Sequence, residues 1–253
     1  MGQIVGIVSG KGGVGKTTLC ARLAEALCAD GKKVLCIDLD TGMKNLDLLL
    51  GMESRTVFDL GDVLDGYVPF EKAAVQHPDA AGLSLLSAAH DYRTKIEKEA
   101  LRALCDEKKE CFDFILLDAP AGLGDGFAAV VYAAERLIVT ATPDLTSVRD
   151  AGRTADVVRQ SGKKQIALVL NRVRPLLMEK GVSDNVDEIM DSVGLPLLGL
   201  IPEDEQIVIR AGGRNARKIA SPADAAFRNT AARLSGRNMP AAQVWRRHLR
   251  KGR

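Results

Sequence analysis

The 253-residue chain lacks long apolar runs. Its longest uncharged stretches, around FILLD from Phe114 and LIVTATP from Leu137, fall far short of the roughly 20 residues that a membrane-spanning helix needs, so no spanning segment is expected. It also lacks a basic segment followed by an apolar one at its start. The opening QIVGIVS, from Gln3, reads as a strand, and no secretory signal is expected. Cysteines are few and unpatterned: Cys20, Cys28, Cys36, Cys105 and Cys111 are odd in number and show no paired metal-ligand spacing. They read as small buried hydrophobes of a protein in a reducing cytoplasm. Internal repeats, low-complexity tracts and long linkers are absent too, which leaves one domain as the starting expectation.

What is present is the composition of a globular protein, 46% apolar and 27% charged. Short, nearly continuous β-branched runs recur at IVGIV, KVLCID, LSLLSA, FDFILLD, RLIVTAT, IALVLN and LPLLGLIP. Such runs are the mark of strands buried on both faces of a parallel sheet. Between them lie segments with helical spacing, such as TTLCARLAEALCADG, where Leu19, Leu23 and Leu27 recur every four residues and Gly31 ends the pattern. The implied fold is α/β, a doubly wound, mostly parallel sheet flanked by helices, whose ligands bind beyond the carboxyl ends of the strands.

The motif SGKGGVGKTT, Ser9 to Thr18, lies at such an end. Gly10, Gly15, Lys16 and Thr17 fit G-x-x-x-x-G-K-[ST], and the motif leaves one expected strand and opens one expected helix. Glycines let backbone N–H groups close around phosphate oxygens, and the helix N-terminus adds partial positive charge. The loop Gly10, Lys11, Gly12, Gly13, Val14 and Gly15 is therefore expected to wrap the phosphates of a nucleotide. Lys16 would contact the β- and γ-phosphates, the Thr17 hydroxyl would ligate Mg²⁺, and Thr18 would offer a second hydroxyl near the α-phosphate.

Lys11 has no task in that geometry. The run K-G-G-V-G-K-T resembles the deviant Walker A family of P-loop ATPases, the ParA/MinD family. The resemblance implies that Lys11 reaches across a dimer interface to the phosphates bound by the partner. Further phrases extend it from about Gln3 to Pro240. CIDLDTGMKNLDLLLG, from Cys36, resembles the first switch, which implies a place for Asp38 in the magnesium shell and for Asp40 in orienting the attacking water. FDFILLDAPAGLGDGF ends its strand at Asp118, the Walker B position on the metal, and carries Gly122 as the pivot of a second switch. ATPDLTSVRDAGR brings Ser147, Arg149 and Asp150 into line with a dimer or partner face, or else opens a helix capped by Thr146 or Ser147. LVLNRVRP places Asn171 where the family contacts adenine, and LLGLIPED places Pro202 and Glu203 in the loop closing over the base. GVSDNVDEI near Ser183 and AGGRNARKIAS near Arg214 depart from the family pattern.

The net charge of +2 hides an asymmetry, because residues from Arg210 to Arg253 hold twelve Lys or Arg against one acid, Asp224. Its last part, PAAQVWRRHLRKGR from Pro240, is amphipathic on a helical projection. Ala241, Ala242, Val244, Trp245, His248 and Leu249 fall on one arc, with Gln243, Arg246, Arg247, Arg250 and Lys251 on the other. That layout suits a helix lying in a membrane interface. The expected organisation is an ATPase domain over residues 1–239 and a basic tail over 240–253. The resemblance is to the septum-placing branch of the family, which implies a Mg²⁺-dependent, partner-stimulated ATPase. Such a protein is an ATP-bridged homodimer on an anionic membrane, cytoplasmic and peripheral at the inner face, with an activator and a division-inhibitor protein as partners. Two other branches are alternatives. A partition ATPase would use the basic end to hold DNA, a salt-sensitive attachment, but the wording of the first switch and the amphipathic tail speak against it. A regulator of flagellar number would share the chemistry, and the absence of an extension before the first strand speaks against that reading.

Overall fold

A computed structural model describes residues 2–91, 93–181, 183–207, 221 and 223–241. Among these residues eight strands form one sheet in the order β3-β4-β2-β5-β1-β6-β7-β8. They are β1 (Gln3–Val8), β2 (Val34–Asp38), β3 (Val75–Gln76), β4 (Leu83–Leu86), β5 (Phe114–Asp118), β6 (Arg136–Ala141), β7 (Gln165–Val173) and β8 (Leu197–Pro202). All pairs are parallel except β3 with β4, which close an antiparallel turn at one edge. The seven apolar runs of the sequence are the seven parallel strands. The two-residue β3 has no such run, and the sequence pattern does not announce it.

Successive side chains of a strand point to opposite faces, and here both faces are covered. Ile4 and Val8 of β1, Leu35 and Ile37 of β2, and Ile115 and Leu117 of β5 enter one core. Val5 and Ile7, Val34 and Cys36, and Phe114 and Leu116 enter the other. The first core is roofed by α5 (Lys98–Lys108), α6 (Asp125–Ala133), α7 (Leu145–Gln160) and α9 (Val186–Val193). The second is roofed by α1 (Lys16–Ala29), α2 (Leu46–Leu50) and α10 (Ala223–Leu234). Short helices α3 (Leu60–Leu64), α4 (Phe70–Ala73) and α8 (Pro175–Glu179) lie in the connections. Leu19, Leu23 and Leu27 of α1 are fully buried, each worth about 1.5–3 kcal/mol against exposure. α1 stops where the spacing predicts, Gly31 taking φ +79°.

Three of the five cysteines, Cys20, Cys36 and Cys105, are buried as expected, but Cys28 is half-buried and Cys111 is exposed. Cys111 falls in the turn between α5 and β5, where no core face covers it. Among the described residues no helix is long and apolar enough to cross a membrane. The membrane-facing residues expected in the tail, Val244, Trp245, Arg246, Arg247, Leu249 and Arg250, lie outside the described residues, as does Arg214.

Candidate functional site

The candidate site residues among those described sit at the carboxyl edge of the sheet, in the loops leaving it or in the first turn of α1. β1 runs into the glycine loop, β2 ends on Asp38, β5 ends on Asp118, β7 carries Asn171 and β8 ends on Pro202. The loop turns into α1 at Gly15, whose φ of +92° and ψ of 30° are left-handed. A side chain there would be strained, and its Cβ would stand 2.3 Å from Nδ2 of Asn171. Gly10 is required by packing: a Cβ would meet the Thr154 hydroxyl at 2.7 Å and the Asp150 carbonyl at 3.0 Å, both on α7.

The N-terminus of α1 has no side-chain cap and no acid in its first turn. Its leading amides therefore point out of the helix with no side-chain cap among the described residues, the arrangement that binds anions. Lys16, the first helical residue, is 7% exposed. Burial lowers its pKa, opposed by the charges of Asp118 and Asp40 nearby. The pair Lys16 and Thr17 thus lies between a donor-rich loop and a set of carboxylates.

Those carboxylates are brought together by strand register. Asp38 and Asp118 are direct partners on the adjacent parallel strands β2 and β5. Both are buried, at 1% and 0% exposure. Burial pushes Asp38 up to about 7, against hydrogen bonds from the Asp40 and Leu46 amides and with a further push from the charges of Asp40 and Asp47. Its Oδ1 accepts from the Asp40 amide at 2.8 Å and its Oδ2 from the Leu46 amide at 3.4 Å. Burial, then the Asp38 charge, also raises Asp118, while the Thr17 hydroxyl and Lys16 pull the other way. Neither Asp118 oxygen has a partner that meets hydrogen-bond geometry. A buried, unsatisfied carboxylate is expensive for a folded protein. The donor set fits a divalent cation: Asp118, Asp38 and the Thr17 hydroxyl are hard oxygen donors. Among the described residues no group of three or more His, Cys, Asp or Glu side chains could hold a metal alone. Mg²⁺ at this place would draw its remaining oxygens from phosphates and water, which is its habit in nucleotide sites.

Asp40 lies in the turn after β2, where its Oδ1 accepts from the amides of Gly42 and Met43, each at 3.2 Å. Gly122 takes φ +86° in the loop after β5, with open space where a Cβ would stand. Lys11 points to the β6–α7 loop. Its Nζ donates to the Thr146 hydroxyl at 2.8 Å and to Asp144 Oδ1 at 3.3 Å. Asp144 also accepts from the hydroxyls of Thr142 and Thr146 and from the Ser147 amide. Burial opposes its ionisation, but these bonds and Lys11 outweigh it and hold the carboxyl well below its usual range. Asp144 is therefore the N-cap of α7, in place of Thr146 or Ser147. The Ser147 hydroxyl instead accepts the Thr142 amide at 2.9 Å, while Arg149 is exposed. An aspartate two residues before Thr146 and three before Ser147 was the available signal.

Asn171 is 6% exposed and donates its amide to the Val14 carbonyl at 2.8 Å, tying β7 to the glycine loop. The Glu203 amide donates to the Val173 carbonyl, and its carboxylate pairs with Arg174. Asp144, Arg172, Arg174 and Glu203 help to line a groove of about 670 Å³ beside the site.

Comparison with known proteins gives one consistent answer. Residues 5–216 match the family model for the CobQ/CobB/MinD/ParA nucleotide binding domain. The chain is 39% identical over 246 residues to the septum site-determining protein MinD of Synechocystis sp., covering 95% of this chain and 92% of that one. Among solved structures it is similar to the MinC:MinD cell division protein complex of Aquifex aeolicus, with a TM-score of 0.86, 36% identity and coverage of 94% and 97%. It is also similar to the septum site-determining MinD of Pyrococcus horikoshii complexed with Mg-ADP, with a TM-score of 0.81, 32% identity and coverage of 92% and 96%.

Proposed function

The chain belongs to the CobQ/CobB/MinD/ParA family of nucleotide-binding domains, and from that premise we propose that it is a MinD-type ATPase acting in the placement of the division septum. The observation that carries the reading is the juxtaposition at one sheet edge of an uncapped helix N-terminus, the buried Lys16 and the unsatisfied carboxylate of Asp118. Its likeness to proteins named for septum-site determination supplies the cellular role.

In this reading the amides of Gly12, Gly13, Val14, Gly15, Lys16, Thr17 and Thr18 hold the phosphates of ATP, and the Lys16 ammonium binds the β- and γ-oxygens. Thr17, Asp38 and Asp118 hold Mg²⁺, whose chemistry when bound is to neutralise charge on the phosphate oxygens. Asp40, in the turn after β2, leaves the Gly42 and Met43 amides and orients the attacking water. Asn171, Pro202 and Glu203 flank the base. Two chains join face to face over ATP, and Lys11 exchanges Asp144 and Thr146 of its own chain for the γ-phosphate held by the partner. Hydrolysis, stimulated by an activator protein, releases the pair.

The dimer presents two copies of the tail. Burial of Val244, Trp245 and Leu249, with Arg246, Arg247 and Arg250 toward anionic head groups, makes one tail a weak anchor and two a useful one through effective concentration. The protein thus alternates between the cytoplasm and the inner face of the cell membrane, and a division-inhibitor protein is its effector. Two measurements test this. Light scattering with Mg-ATP should show wild type doubling from 27.1 kDa while Lys11→Ala binds ATP yet stays monomeric, and an intact Lys11→Ala dimer sinks the trans role. Co-sedimentation with anionic vesicles should require ATP and Trp245. Binding that is equal with ADP, or that goes to DNA with Trp245→Glu unimpaired, rejects the anchor and favours a partition protein.

A further inference from the structure

His77 is a buried side chain with no part in the chemistry above, 8% exposed and immediately after β3. Both ring nitrogens are engaged, and their partners define the ring. Nε2 stands 3.0 Å from the Leu50 carbonyl, which can only accept, so Nε2 carries the proton. Nδ1 stands 3.1 Å from the Asp79 amide, which can only donate, so Nδ1 offers its lone pair. Pro78 between them has no N–H. The Asp79 amide is thus the first in the turn able to make this bond. The ring is a neutral Nε2–H tautomer that joins the β3–β4 turn at the sheet edge to the last residue of α2.

The other end of α2 touches the candidate site. This helix has five residues, too few to be stable by its own hydrogen bonds. Its orientation is imposed from outside, by Leu46 and Leu50 in the core and by polar contacts at its two ends. At the first, the Leu46 amide donates to Asp38 Oδ2. At the last, the Leu50 carbonyl accepts from His77. Gly51 then turns the chain away with φ +68°.

We propose that His77 is a positioning residue for the switch: its Nε2–H, bound to the Leu50 carbonyl, holds α2 where the Leu46 amide meets Asp38. The antiparallel edge turn thereby sets the geometry of the carboxylate on the magnesium side of the site. The kinetic consequence rests on the ATPase reading given above, whereas the structural one does not.

Two substitutions separate the two ring nitrogens. His77→Gln places an amide N–H near the position of Nε2 and keeps the donor to Leu50. His77→Asn places a carbonyl near Nδ1, keeps the acceptor for Asp79 and loses that donor. Full-length wild type and both variants are compared by hydrogen exchange of the 46–51 amides without nucleotide, by thermal unfolding, and by kcat and KM for Mg-ATP. Expected is faster exchange over 46–51 in His77→Asn, with kcat reduced by about threefold to tenfold, the scale of one hydrogen bond. His77→Gln should move both back toward wild type. Equal exchange over 46–51 in the two variants, or unchanged exchange in His77→Asn, overturns the proposal, including the case where both melt lower by the same amount. A wild-type chain that hydrolyses no ATP contradicts the ATPase reading instead, and the exchange comparison still decides the role of His77.

Discussion

The two helices that meet the glycine loop are finished in opposite ways. α7 begins with Asp144, whose carboxylate accepts the Ser147 amide, two threonine hydroxyls and Lys11. α1 begins with a glycine, no side-chain cap and no acid, and the Asp118 carboxylate nearby has no partner of good hydrogen-bond geometry among the described residues. A helix start left open next to an unsatisfied buried acid is destabilising for the protein alone. It becomes favourable once an anion and a cation arrive together. The contrast separates a helix start completed by the protein's own side chains from one left open to a ligand.

The largest expected effect comes from relieving the open end. With its pKa raised to about 7, Asp38 keeps a proton in the folded state that the unfolded chain gives up near its ordinary value of 3.8. The group's contribution is therefore most favourable below about pH 4 and declines as pH rises to about 7, by at most about 1.4 kcal/mol per pH unit. Asp38→Asn should lack this decline. Urea unfolding of the nucleotide-free protein at pH 5 and pH 7.5 should show the variant gaining on wild type as pH rises, and parallel curves would refute the shift. Next, Lys16→Ala should weaken Mg-ATP binding about 100-fold, the upper range for a charged hydrogen bond, with little change in unfolding temperature. Calorimetric titration reads it.

The closed end should answer with stability instead of binding. Asp144→Ala removes the cap of α7 and should lower stability by about 1 kcal/mol, measured by denaturant unfolding. Smallest of all, Lys11→Met should shift stability by less than about 0.5 kcal/mol, because the Lys11–Asp144 pair is half-exposed, at 43% and 51%. A larger loss in either direction would blur the distinction between the two helix starts.

How much of this was legible beforehand follows from what is local in the chain. The parallel strands were readable because burial on both faces makes each a continuous apolar run, and the start of α1 was readable because the glycine loop is contiguous. β3 was not, since two residues, Val75 and Gln76, are too few for any pattern and pair only because β4 returns beside them. Asp38 and Asp118 could each be placed at a strand end. That they stand opposite one another, with the Asp38 charge raising the pKa of Asp118, depends on a pairing between strands 80 residues apart. The cap of α7 lies two or three residues before the expected Thr146 or Ser147, because Asp144, Thr146 and Ser147 are all good caps within four positions and backbone geometry chooses among them. His77 carried no signal, because its role depends on a carbonyl 27 residues earlier.

The most direct measurement of the central claim is calorimetric titration of the purified chain with a non-hydrolysable ATP analogue, in Mg²⁺ and again in EDTA. The open start of α1 and the buried carboxylate of Asp118 predict one tight site per chain in Mg²⁺, markedly weaker in EDTA and weakened about 100-fold in Lys16→Ala. No binding in Mg²⁺, or binding equally strong in EDTA and in Lys16→Ala, would contradict it.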